Sequence, residues 1–165
     1  MIVWMPGSGS IWSPHNVSSV WSRGVEINLK AGLHIQSIYM EVKSKYNHIL
    51  STNNTFSGDN DVTYGKQLFY VPKDNFQVQA SFIYKGFNLT YIHAYTGERF
   101  TNNENTEYLR SFQTGNVNLS KNFEWKKYSV GFYAQVNNIW NEQYQVIAWR
   151  PMPGVNYQVG VQITI

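Results

Sequence analysis

The sequence predicts an all-β protein: an antiparallel up-and-down transmembrane β-barrel, present in part. Three observations point there. Apolar and polar residues alternate with a period of two through most of the chain. Short and long connections alternate between the alternating segments. Charged residues make up only 14% of the 165 residues, while aromatics reach 16%, with 12 Tyr, 9 Phe and 6 Trp. A soluble domain carries about 25% charge. Side chains that suit a half-buried pleated surface dominate, and formers of exposed helix are scarce.

Taken in order, Val25, Ile27, Leu29 and Ala31 alternate with Glu26, Asn28 and Lys30. Phe76, Val78, Ala80, Phe82 and Tyr84 alternate with Gln77, Gln79, Ser81 and Lys85, with Ile83 as the one apolar intruder. Phe87, Leu89 and Tyr91 alternate with Asn88 and Thr90. Tyr128, Val130, Phe132, Ala134 and Val136 alternate with Ser129, Gly131, Gln135 and Asn137. Tyr157, Val159, Val161, Ile163 and Ile165 alternate with Gln158, Gly160, Gln162 and Thr164. Each pattern predicts a strand with one apolar and one polar face. Two further strands are expected near 34–48 and 107–121, and Val3-Trp4 reads as the stub of another.

The expected tight links are Lys30-Ala31-Gly32-Leu33, Tyr84-Lys85-Gly86-Phe87 and Lys121-Asn122-Phe123-Glu124-Trp125. The long polar connections are roughly 5–19, 49–73, 97–106 and 138–154. This alternation fits short periplasmic turns and long extracellular loops. Strands of about 10–15 residues also suit a tilted bilayer crossing, against about 5–6 residues for soluble strands. With the Gly86 turn on the periplasmic side, the last strand runs down to the periplasmic rim. Tyr84, Phe87, Tyr128 and Tyr157 then fall near strand ends on apolar faces, where an aromatic girdle belongs.

The net charge of +3 and pI near 9.0 come from scattered Lys and Arg, so no basic stripe for nucleic acid is present. Cysteine is absent, which removes disulfides and thiolate metal sites. The first residues lack the features of a signal peptide, and no apolar run approaches the ~18 residues of a spanning helix. The expectation is a piece of something longer, or a mature form.

Four segments in order resemble the C-terminal barrel segment of TonB-dependent outer-membrane receptors, of the kind common in Bacteroidetes. Gly65-Lys66-Gln67-Leu68-Phe69-Tyr70-Val71-Pro72-Lys73 resembles a strand-leading segment ending in Tyr-Val-Pro. Tyr95-Thr96-Gly97-Glu98-Arg99-Phe100 resembles a Tyr-x-Gly-x-Arg-aromatic motif. Asn137-Asn138-Ile139-Trp140-Asn141-Glu142-Gln143-Tyr144 resembles the signature before the last loop, and Arg150-Pro151-Met152-Pro153-Gly154 the lead into the last strand. Departures are Phe69 and Asp74, where relatives often have Pro and His, Val155 in place of a frequent Arg, and Ile165 in place of a terminal aromatic. The resemblance implies that residues 1–165 are the C-terminal part of the receptor barrel. About seven or eight strands would be present of about 22, with the plug domain absent. It implies a place in the bacterial outer membrane and a role in taking up a scarce metal chelate, cobalamin or glycan. This piece would supply wall and extracellular loops without being competent alone. Its implied partners are outer-membrane lipid, the plug and N-terminal barrel strands, and TonB only through the missing plug.

The residues offer no catalytic, cofactor-binding or metal site, and no enzyme is predicted. His15, His34, His48 and His93 are dispersed and lack metal-ligand spacing. His93 reads as a hydrogen-bonded or interfacial side chain. Asp59-Asn60-Asp61 lacks the Gly and distal Glu of a calcium loop and reads as a solvated tip. Glu104 and Glu107 sit in an Asn-rich solvated loop, Gly7-Ser8-Gly9 lacks the rest of a phosphate loop, and Asn88-Leu89-Thr90 matters only in a eukaryotic secretory setting. Trp4, Trp12, Trp140, Trp149, Phe100 and Tyr144 lie in or beside the long loops, as ligand contacts or as loop packing. No ligand-binding residue is assigned. Two other readings stay open: a self-contained eight-stranded barrel with a structural or adhesive role, its eighth strand drawn from residues 1–5, and a soluble β-sandwich binding module.

Overall fold

The computed structural model describes residues 2–6, 11–16, 19–56 and 58–164. The strands are β1 (Ile2–Pro6), β2 (Trp12–Asn16), β3 (Val20–Ile35), β4 (Ile38–Asn53), β5 (Asp74–Tyr84), β6 (Phe87–Thr96), β7 (Arg99–Phe100), β8 (Tyr108–Leu109), β9 (Phe112–Trp125), β10 (Tyr128–Asn137), β11 (Gln145–Ile147), β12 (Arg150–Pro151) and β13 (Asn156–Thr164). No helix occurs among the described residues. The seven long strands make one antiparallel sheet in the order β13-β10-β9-β6-β5-β4-β3, so each pairs with the nearest long strands in sequence. The short strands pair as separate ribbons, β1 with β2, β7 with β8 and β11 with β12.

Register decides what the two faces carry, because a one-residue step moves a side chain to the opposite face. Across the sheet, Leu33, Met40, Phe82, Leu89, Leu119, Ala134 and Val159 are paired in turn, and this row is wholly apolar. The adjacent row is Gly32, Glu41, Ser81, Thr90, Asn118, Gln135 and Gln158, and apart from the glycine it is wholly polar. Among the described residues, no second layer covers the apolar side. Leu68 is the one buried hydrophobic residue among those described, while Val159 is 78% and Val161 58% exposed. A β-sandwich would bury these residues in a core. A lipid-facing wall leaves them outward, which is the arrangement present.

The polar face holds its charges in pairs. Lys30 and Lys43 lie directly opposite each other, an unfavourable placement for like charges. Glu41 lies between them at 2.9 Å and 2.6 Å, and also accepts the Tyr39 hydroxyl at 2.8 Å. Lys45 meets Glu26 at 3.3 Å on the same face.

The Lys85-Gly86 turn stands where expected. Both central residues have positive φ, 45° and 77°, as a two-residue hairpin in a right-twisted sheet requires. Two other expected turns are displaced. Gly32 lies inside β3, and the chain turns at Gln36-Ser37, with Gln36 at φ 52°. The glycine serves its neighbour there: a Cβ at position 32 would lie 3.1 Å from the Tyr39 hydroxyl. The link expected at 121–125 belongs to β9, which runs on to a turn at Lys126-Lys127. Phe123 pairs with Val130 and continues the apolar face. The strand expected near 34–48 is therefore β4 at Ile38–Asn53, and that near 107–121 is β9 at Phe112–Trp125. The connection placed at 5–19 contains the β1–β2 hairpin. Val3-Trp4 lies in β1, which pairs with β2 and adds no eighth strand to the sheet among the described residues. Residues 7–10 and Ile165 lie outside the described residues.

The turns at 36–37, 85–86 and 126–127 all fall at one end of the sheet, and the loops 54–73, 97–111 and 138–155 at the other. β13 runs from the loop end to the turn end, as the expected orientation requires. Val117 sits mid-strand on the apolar face and Asn118 on the polar face. Val117→Arg is expected to cost about 2–4 kcal/mol of stability in the bilayer, and Asn118→Arg under about 1 kcal/mol. Denaturant titration of the closed barrel in vesicles reads the difference, and equal costs would contradict the assigned faces.

Candidate functional site

With almost no apolar core, the loops are held together by buried polar contacts. Gln67 is 5% exposed. Its side-chain oxygen accepts the Ser51 amide at 3.0 Å, and its backbone exchanges two hydrogen bonds of 2.9 Å with the Asn105 side chain. This ties loop 54–73 to the top of β4 and to loop 97–111. The Tyr70 amide donates to the Phe100 carbonyl at 2.7 Å, and the Tyr70 hydroxyl accepts the Ala148 amide at 3.3 Å. One residue thus touches both of the other loops.

Each sequence motif proves to be a clamp. The Gly97 amide donates to the Asp74 carbonyl at 2.8 Å, and a Cβ at Gly97 would sit 2.8 Å from that same oxygen. Only glycine permits this approach. Arg99, 4% exposed, donates from Nη2 to the Gln145 carbonyl at 2.9 Å. Its guanidinium lies 4.8 Å from the Phe112 ring centre, and Phe112 stacks on Tyr144 at 4.2 Å. Burial pushes the Arg99 pKa down, opposed by its interaction with Tyr70. Asn138, also 4% exposed, accepts the Glu142 amide at 2.9 Å and donates to the Glu142 and Pro153 carbonyls at 3.0 Å and 3.2 Å. Asn141 Oδ1 accepts the Val155 amide at 3.1 Å and fills the space a Cβ at Gly154 would need.

The three loops border an open pocket of about 720 Å³, within the range of small-molecule sites. Phe69 and Tyr70 come from loop 54–73, Arg99 from loop 97–111, and the segment 146–150 from loop 138–155. Arg99 Nε lies in the wall, closed to solvent and with no hydrogen-bond partner. Two bulky aromatic residues lining the pocket hold positive φ, Tyr70 at 57° and Trp149 at 67°. That backbone conformation is strained for an aromatic residue, and such strain gathers at functional sites. Trp149 projects from the β11–β12 turn at 91% exposure, beside the exposed Arg150.

The loop aromatics singled out from sequence divide accordingly. Trp149 lines the pocket with its ring in solvent. Tyr144 stacks on Phe112, Trp140 packs its indole nitrogen against Gly115, and the Phe100 carbonyl receives the Tyr70 amide. Trp4 and Trp12 lie in the β1–β2 hairpin, and their side chains fall outside the described residues, as does that of His15. The remaining histidines stay apart. His34 packs on Tyr39 at 5.4 Å, His48 bonds Asp74 at 2.8 Å, and His93 bonds the Tyr91 hydroxyl at 3.2 Å. Asp61 caps its own turn by accepting the Thr63 amide and hydroxyl. Glu104 and Glu107 are exposed. Sequence reading did not find Tyr70, Arg99 or Arg150 as pocket residues. Asn138→Ala strands three backbone groups and should cost about 1–3 kcal/mol. Hydrogen exchange at the Glu142 amide should accelerate, and unchanged exchange would refute the clamp.

A family model described as TonB dependent receptor-like, beta-barrel, matches residues 1–139. No curated protein matches the sequence. Solved structures with the same fold include the ferric preacinetobactin receptor BauA of Acinetobacter baumannii, at 15% identity and TM-score 0.73, over 98% of this chain and 25% of that one. The siderophore receptor PiuA of the same organism aligns at 15% identity and TM-score 0.65, over 87% of this chain and 21% of that one. The ferric yersiniabactin uptake receptor FyuA of Yersinia pestis aligns at 14% identity and TM-score 0.56, over 87% and 23%. The chain thus spans about a quarter of the length of these structures. A seven-stranded wall with one lipid-facing side, short turns at one end and clamped loops at the other agrees with the sequence match, and the chain belongs to the TonB-dependent receptor β-barrel family of the outer membrane.

Proposed function

We propose that this chain forms the C-terminal wall and part of the extracellular loops of a receptor that captures an anionic metal chelate for TonB-driven uptake. The observation that carries this is the loop pocket. Its walls are apolar and aromatic, and its charged groups are the guanidinium groups of Arg99 and Arg150. Arg150 is exposed and no carboxylate lines the pocket among the described residues, so its positive charge favours an anionic ligand group. Apolar and aromatic walls suit the organic frame of a chelator. This combination favours a metal chelate over a neutral glycan or cobalamin. The receptors for ferric preacinetobactin and ferric yersiniabactin share the fold, which supports the same class of cargo.

The remaining parts of the function would come from further strands and a plug. Among the described residues, β3 and β13 each pair along one side only. Hydrocarbon offers no hydrogen bonds to a free strand edge, so a spanning sheet has to close. In this reading the N-terminal barrel strands pair with both edges, and the plug meets the polar face with its Lys30–Glu41–Lys43 cluster. TonB acts on the plug and not on this wall.

In the closed receptor, Trp149→Ala and Arg150→Ala should each weaken equilibrium binding of a ferric siderophore about tenfold, or about 1.4 kcal/mol. Both are exposed, so barrel stability should not change. Binding of an anionic ferric chelate that ignores both substitutions would overturn the assignment. The 165-residue chain alone should support no TonB-dependent uptake of radiolabelled iron, and measurable uptake would refute the part played by the missing strands.

A further inference from the structure

Lys121 occupies a place where a charge does not belong. In the sheet it stands in the row Phe87, Lys121, Phe132, Val161, on the lipid-facing side. It has no carboxylate partner within ion-pair distance among the described residues. Its ammonium group instead lies 4.1 Å from the Phe87 ring centre and 5.3 Å from that of Phe123, and donates to the Lys85 carbonyl in the β5–β6 turn. The side chain therefore reaches from the apolar face toward the turn end of the wall, as long basic side chains do at a membrane interface. Lys85 lies in that same turn with its ammonium 5.3 Å from the Tyr84 ring. Glu124, the nearest acid in sequence, is on the opposite face, paired with Ser129.

A cleft of about 550 Å³ runs beside Lys121 toward the middle of the sheet. Its lipid-facing side chains are Phe87, Leu119, Lys121, Phe132, Ala134, Val159 and Val161. The cleft exists because Ala134 stands between Leu119 and Val159 in the next row and is too short to fill it. Two cations at the turn end of an apolar cleft have the polarity of an anionic lipid: phosphate at the interface, acyl chain along the wall.

We propose that Lys121, Lys85 and this cleft form a binding site for one anionic glycerophospholipid of the turn-side leaflet. Its phosphate sits between the two lysines and one acyl chain lies in the cleft over Ala134. The site is independent of the loop pocket and of any transported cargo.

The test uses the closed receptor that contains this chain, in vesicles of equal phosphatidylglycerol and phosphatidylcholine with identical acyl chains. After extraction in mild detergent, retained lipid is counted by mass spectrometry, with protease protection of the strands as the folding check. The chain should retain phosphatidylglycerol over phosphatidylcholine. Lys121→Gln and Lys85→Gln should each lower that preference roughly fivefold, the effect of one lysine near an anionic surface. Lys126→Gln, which removes a charge from the β9–β10 turn, should leave it unchanged. Ala134→Leu keeps every charge and fills the cleft, and it should lower retention of both lipids. Equal retention of the two lipids by the unaltered chain would overturn the site. So would a loss in Lys126→Gln as large as in Lys121→Gln, or preferential retention of added lipopolysaccharide over phosphatidylglycerol.

Discussion

The structure depends on one constraint: backbone polar groups in hydrocarbon must be satisfied by other backbone. Hydrogen bonding along a strand ladder meets this, and it then fixes side-chain parity across all paired strands at once. The apolar row from Leu33 to Val159 and the polar row from Gly32 to Gln158 are two consequences of a single register. Because the apolar side needs no protein to cover it, this wall has almost no core. Stability comes from the ladder and from lipid, and the protein's specific packing is concentrated in the loops.

That division explains why the loops use buried polar side chains as fasteners. Gln67, Arg99 and Asn138 are each about as buried as Leu68, and each bonds main-chain groups of another segment. Such contacts are directional, and an unmade partner is costly when buried. They therefore set one loop arrangement, where apolar packing would allow several. A rigid rim also holds Tyr70 and Trp149 in backbone conformations they would not adopt freely. The pocket they line is pre-shaped by contacts lying behind it.

The sheet was legible in the sequence wherever parity was clean, as from Phe76 to Tyr84 and from Tyr157 onward. The misplaced turns share one cause. Gly32 and the run Lys121–Trp125 carry turn-like composition, but Leu33, Ile35 and Phe123 keep the apolar parity through them. Parity was the better guide, since a glycine in a strand can equally make room for a cross-strand aromatic such as Tyr39. The pocket was not legible. Its contacts join residues 46 and 78 positions apart, beyond any local pattern. The one available signal was the motifs themselves: Gly97, Arg99, Asn138 and Gly154 lie in the segments that resembled the family, and each is a loop clamp.

By itself, the sequence determined the fold class, the alternation of turns and loops and the family, because each follows from a period or a motif local to the chain. Tertiary structure alone decided where the strands turn, which loop aromatics pack and which project, and that Arg99 is buried in the wall of a pocket bordered by three loops. It also decided that Lys121 stands on the lipid-facing side, over Phe87. Those facts depend on which distant segment lies beside each residue, and only the paired register of the sheet brings the segments together.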